Sequence, residues 1–193
     1  SQKKDTDLIA RHGLEKKFTV GYIGTHGLAH ALESVLFAAK ITSQRGFEDK
    51  IHFLFLGDGA NKIKLQKLAA ELELKNVLFL ASVPKPGVVK YWSIIDILII
   101  SLKKTDLFNS VIPSKMFEAM SMGIPILHAL RGESAEIITK TGAGIVVEPE
   151  SPVEMAEEVI RLSQDNTTFA ALGRNGQVAS ESFDRKILAQ DML

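Results

Sequence analysis

Residues 108–125, FNSVIPSKMFEAMSMGIP, are the stretch whose reading decides the fold. It opens as a polar loop and passes Pro113, whose fixed φ and missing N–H suit the first turn of a helix. A short helix follows, carrying Glu118 near its start, and stops at Gly123 before a fresh apolar strand, PILHA. A loop that feeds a helix between two buried strands gathers unpaired N–H groups and the positive end of a dipole. That combination seats an anion such as a phosphate.

Working outward, the same alternation repeats. Upstream lie the strand FTVGYIG (18–24) and a helix from about Ala29 to Gln44, with Leu32, Val35, Leu36 and Ala39 on one face. IHFLFLG (51–57) is apolar almost throughout, as a strand covered on both faces should be. Asn61 is placed to cap the next helix, whose Leu65, Leu68, Ala69 and Leu72 form a stripe. NVLFLA (76–81), the turn VPKPG, a short helix over about Val88–Ser93 and IDILIIS (95–101) complete this half.

Downstream, PILHA (125–129) is followed by a helix from about Glu133 and the strand GIVVE (144–148). Ser151-Pro152-Val153-Glu154 then reads as a capping box with proline at the first helical position. That helix runs to about Ser163, and a last one fades by Phe183. Six short apolar strands alternating with helices predict a doubly wound, six-stranded parallel α/β sheet of Rossmann-like type over 18–193. Residues 1–17 read as a polar lead-in with a short helix at DLIARHG. Ligands of such sheets bind beyond the carboxyl ends of the strands, near the switch point. The loops at 24–27, 57–61, 81–87, 101–113 and 129–135 are therefore the informative ones.

Bulk properties narrow the function. Acidic and basic residues balance at 23 each, so no basic excess points to nucleic acid. The absence of cysteine excludes a disulfide framework, a zinc ribbon and a thiol nucleophile, and fits a cytoplasmic location. Apolar runs such as SIIDILIIS fall far short of the ~20 residues a membrane span needs.

In GTHG (24–27), Gly24 and Gly27 allow backbone to approach a ligand, and Thr25, His26 and His30 offer polar groups to a phosphate; the same residues also read as an ordinary βα turn. GDGANK (57–62) is a poor dinucleotide fingerprint, with Lys62 at the third glycine position and no acid closing the next strand. Val83, in ASVPKPG, could read a base through its backbone. Glu118 reads either as an acid offsetting the helix dipole or as a carboxylate accepting from a ribose diol. In the second case Ser114 and Lys115 present amides, and Lys115 a cation, to a diphosphate. Arg131, Glu133 and Glu136 add charge at the next helix start. Neither metal-ligand spacing nor a Gly-x-Ser-x-Gly elbow occurs, so the residues point to binding and electrostatic stabilisation.

GDGANKIKLQKLAAELELKNVLFLASVPK, IPSKMFEAMSMGIPIL and RGESAEIITKTGAGIVVEPESP together resemble the C-terminal domain of retaining, GT-B-fold glycosyltransferases of family 4. The similar branch carries Pro-Ser-Lys-x-Phe-Glu and serves bacterial lipopolysaccharide and capsule assembly. The resemblance implies a donor-binding domain for a nucleotide-diphosphate sugar, UDP-linked, used for hexosyl or N-acetylhexosaminyl transfer without a metal. By it, Glu118 holds the ribose, the amides of Ser114 and Lys115, just after Pro113 in the donor site, lie at the diphosphate, and Val83 meets the base. Ser110 stands where the family has the first glutamate of its pair, and Thr25 and His30 fall near its usual Arg and Lys. Charge must then be met by Lys115, by His26 or His30, or by Lys62.

The resemblance further implies an acceptor-binding N-terminal domain, in the same parent chain or as a separate subunit, without which this portion is inactive. It implies a place in the cytoplasm or at the inner face of the plasma membrane, reached through a lipid-linked acceptor. Two other readings stay open: a non-catalytic nucleotide-binding subunit, and an epimerase-like domain for which His26 and Glu133 would be the acid/base groups.

Overall fold

Residues 4–183 are described by the computed structural model. Residues 1–3 of the expected lead-in and 184–193 of the expected domain lie outside the described residues. Strands β1 (Phe18–Ile23), β2 (Ile51–Leu56), β3 (Val77–Leu80), β4 (Ile97–Ser101), β5 (Ile126–Ala129) and β6 (Gly144–Val146) form one parallel sheet in the order β3-β2-β1-β4-β5-β6. Phe18 lies opposite Ile51, Val20 opposite Ile97, and Leu98 opposite Ile126. The expected doubly wound sheet is thus the one observed, with its strand order reversing between β1 and β4.

The helices are α1 (Thr6–Arg11), α2 (Leu32–Thr42), α3 (Lys62–Glu71), α4 (Lys85–Trp92), α5 (Ser114–Met122), α6 (Glu133–Thr141), α7 (Pro152–Gln164) and α8 (Asn166–Ser182). Side chains alternate along each strand, and the two resulting faces are covered separately. Val20, Phe53, Phe55, Ile97 and Ile99 meet α2, α3 and α7 through Leu36, Leu65 and Met155. Leu54, Leu56, Leu98, Ile100 and Ile126 meet α4, α5 and α6 through Trp92, Met116, Met120 and Ile138. Gly173 and Gly176 are buried and let α8 lie directly on the end of α5. The lead-in packs too: Leu8 and Leu14 are buried, and Asp96 accepts from Thr19 N (2.8 Å) and Lys4 Nζ (2.6 Å).

Local readings differ in informative ways. The helix expected from Ala29 starts as a 3₁₀ turn, Leu28–His30, and only becomes α-helical after Ala31, which adopts φ 47°. Pro113 precedes α5 in an extended conformation, ψ 125°, so Ser114 is the first helical residue. Ser151 makes no capping bond; Glu154 instead reaches back to the N–H of Glu148 (2.9 Å), tying the end of β6 to α7. Asn61 makes no capping bond either, because its amide donates to Glu33 (3.0 Å) on the neighbouring α2.

Leu36 is fully buried between α2 and the sheet. Leu36→Ala is expected to lower stability by about 3 kcal/mol, the usual cost of such a cavity, read as a shift of the urea midpoint.

Candidate functional site

Where β1 and β4 part, their following loops diverge and leave a cleft at the carboxyl edge of the sheet. Two cavities share it. One, about 290 Å³, is lined by the ends of β1 and β4, His30, Val111, Pro113, Ser114 and Lys115. The other, about 270 Å³, is lined by Gly24, Thr25, Gly57, Asp58, Ser82, Val83, Val88 and Lys115. Gly24, Thr25 and Lys115 border both.

The expected site residues separate into three groups. Gly24, Thr25, Val83, Pro113, Ser114 and Lys115 come together around the two cavities, with His30 on the wall of the first. Glu118 stands one turn into α5 and is held by Lys115, whose ammonium donates to Oε1 at 2.9 Å and to Oε2 at 2.8 Å. No acid occupies the first turn of α5, so dipole compensation does not account for Glu118. Lys115 Nζ also lies 5.7 Å from the centroid of the Trp92 ring, within cation–π range.

His26 and Lys62, read as groups that could meet a diphosphate, are placed otherwise. His26 is fully buried among Tyr22, Phe55 and Phe79, with ring centroids 5.8–6.2 Å apart. Both its ring nitrogens are without a partner. Burial, helped by the nearby Lys62 charge and opposed by Asp58, lowers its pKa to about 4, so it is neutral at pH 7. Lys62 donates to the carbonyls of Gly57 (2.8 Å) and Leu80 (3.0 Å), stitching the ends of β2 and β3 together. Gly27 lines neither cavity and precedes the 3₁₀ turn.

Ser110 is exposed and borders neither cavity. Its neighbour Asn109 is latched to the next loop by the bond from Glu133 N to Asn109 O (3.0 Å). Gly132, at φ 81°, allows this approach, since a β-carbon there would collide with Asn109 O. Arg131 is turned away and pairs with Glu148 (2.6 Å), whose carboxyl that contact holds below the usual range. Glu133 and Glu136 are exposed in the first turn of α6. A larger hollow, about 580 Å³, lies there between α6 and β6, away from the strand-order reversal. Two of its charged groups, Arg131 and Glu148, are paired with each other.

Sequence reasoning missed Tyr22 and Ser101. Tyr22 donates to Thr25 O (2.7 Å) and so shapes the loop after β1, and burial raises its pKa. Ser101 is buried at the end of β4, lines the first cavity, and has an unpartnered Oγ. The signal for Ser101 was present as the single polar residue closing an otherwise apolar strand end. Among the described residues no group of three or more His, Cys, Asp or Glu could hold a metal, and no helix is long and apolar enough to cross a membrane.

A doubly wound sheet with paired cavities and a helix N-terminus at its switch point defines a Rossmann-like α/β domain with its ligand cleft at the carboxyl edge of the sheet. The chain matches the glycosyl transferases group 1 family over residues 4–178 and belongs to that family. HepE of Anabaena, solved in complex with UDP-glucose, superposes with a TM-score of 0.79 at 17% identity, over 96% of this chain and 51% of HepE. WaaG, a glycosyltransferase involved in lipopolysaccharide biosynthesis, gives 0.74 at 17% identity, over 93% of this chain and 47% of WaaG. The C-terminal domain of LpcC from Francisella tularensis, a group 1 glycosyl transferase, gives 0.73 at 17% identity, over 94% of both chains. The chain thus spans about half the length of HepE and WaaG. No curated protein sequence matches it. The expected resemblance to the C-terminal domain of GT-B glycosyltransferases is borne out.

His128 on β5 resembles His26 in being fully buried, bonded through one nitrogen to Ser134 Oγ (2.9 Å), with its pKa lowered by burial to about 4. A histidine whose folded pKa lies below its unfolded value stabilises above the unfolded pKa and loses that contribution as pH falls. Stability is therefore expected to drop between about pH 6.5 and pH 4, by up to ~1.4 kcal/mol per pH unit for each histidine. His26→Phe, which keeps the aromatic packing, should reduce this slope by up to ~1.4 kcal/mol per pH unit in urea titrations at a series of pH values.

Proposed function

We propose that this chain is the donor-binding domain of a retaining glycosyltransferase that moves a sugar from a nucleotide diphosphate, UDP, to a glycan or glycolipid in cell-surface polysaccharide synthesis. The observation that carries this reading is Lys115, which borders both switch-point cavities and pairs with Glu118 one turn further along α5. A carboxylate there can accept two hydrogen bonds from a ribose diol, while the base enters the cavity beside Val83 and the diphosphate meets the start of α5. Family membership and the UDP-glucose held by HepE support the same ligand class.

Departure of the diphosphate leaves an oxocarbenium-like sugar and a growing negative charge. The amides of Ser114 and Lys115, the dipole of α5 and the Lys115 ammonium are fixed before reaction and lower the cost of that charge without a metal in the step. Ser110, neutral, exposed and outside both cavities, stands where the wider family has a carboxylate. The acceptor is held by an N-terminal domain, in the same parent chain or a separate subunit, and this portion alone does not turn over. Leu28 and Ile112, apolar and exposed near the cleft, suit contact with such a domain. A lipid-linked acceptor would bring the assembly to the inner face of the plasma membrane from the cytoplasm.

Isothermal calorimetry with UDP tests the ribose contact. Glu118→Ala should weaken binding on the order of tenfold or more, the loss of charge-assisted hydrogen bonds. Unchanged affinity would remove Glu118 from this role.

A further inference from the structure

The ion pair on α5 has a property that a ribose seat alone does not need. Both oxygens of Glu118 already accept from one ammonium, so a diol that bridges the two oxygens from that side competes with Lys115 for them. We propose that Lys115 makes the ribose seat conditional on phosphate: a bare nucleoside is disfavoured, while a nucleoside diphosphate brings the anion that receives the displaced ammonium. The inference rests on the reading of Glu118 as the ribose holder.

Four observations bear on it. Among the residues lining the two cavities, Lys115 is the one lysine or arginine, and the pKa of His30, the one histidine there, is lowered by burial. Lys62, the nearest other candidate, is tied to two backbone carbonyls. Lys115 occupies the first turn of α5, where the dipole repels a cation, and it precedes Glu118, the less favourable order for an i,i+3 pair. The side chains are 34% and 42% exposed, so the pair is screened and weak enough to exchange. An anion arriving at the same helix start would relieve the repulsion and take the ammonium.

The test compares UDP with uridine by calorimetry on the whole chain, for the wild type, Lys115→Met and Lys115→Arg. Lys115→Met keeps the aliphatic stem against Trp92 and removes the charge. It should weaken UDP on the order of tenfold and tighten uridine by about two- to fivefold, the worth of a screened pair. Lys115→Arg should keep the wild-type preference for UDP. Equal weakening of both ligands by Lys115→Met would show a strut that merely orients Glu118, and overturn the proposal. No change in either ligand, or an arginine variant that behaves like the methionine one, would also overturn it. If Glu118→Ala leaves UDP binding intact, or the wild type binds no UDP, the ribose reading fails and takes this inference with it. If that variant weakens UDP while Lys115→Met produces the parallel loss, only the present inference falls.

Discussion

β1 is hydrogen-bonded on both sides, to β2 and to β4, and the chain winds in opposite directions from it. That pairing obliges the loops after β1 and β4 to part, because each crossover must return on a different face of the sheet. The opening cannot be closed by neighbouring crossovers, and it exposes backbone that the sheet no longer pairs. Both cavities, the unpartnered Ser101 hydroxyl and the start of α5 lie along this one seam. Filling either face of the sheet stabilises the molecule; leaving the seam open is what permits a ligand.

The two sides of the seam differ in rigidity for physical reasons. On the β1 side, the loops after β1 and β2 are pressed together: a β-carbon at Gly59 would fall 2.6 Å from His26 O, and one at Gly57 would strike Gly24 O. His26 N donates to Asp58 O (2.8 Å) and Asn61 N to His26 O (2.9 Å), while the buried imidazole fills the space beneath. This is a floor with little room to adjust. On the α5 side, the polar groups are partly exposed side chains held by one another, and their arrangement can change without disturbing the core.

Most of the architecture was legible because burial on both faces leaves a plain trace. IHFLFL and ILIIS are apolar but for His52 and Ser101, and Leu32, Val35, Leu36 and Ala39 repeat at helical spacing. What was not legible depended on partners distant in sequence. Glu154 looks like a capping-box residue from its spacing to Ser151, yet the N–H it meets belongs to Glu148. Asn61 looks like a cap until Glu33 is brought beside it. His26 and Lys62 looked available for phosphate because the aromatic cluster around one and the strand-end carbonyls around the other come from β2 and β3. Glu118 and Lys115, three residues apart on one helix, were legible as neighbours; their bidentate pairing was not, since competing partners could be excluded only in three dimensions.

Trp92 is the sole tryptophan of the chain, is buried, and lies beneath the Lys115 ammonium. An indole's emission responds to a charge near its face, so the molecule carries an optical reporter at the very point where the seat rearranges. Light absorbed by the indole beyond the uracil band would follow the ammonium's departure in time as well as in amount. The order of events, whether the carboxylate is freed before the nucleotide arrives or only after it, is thereby open to rapid-mixing fluorescence without attaching any dye.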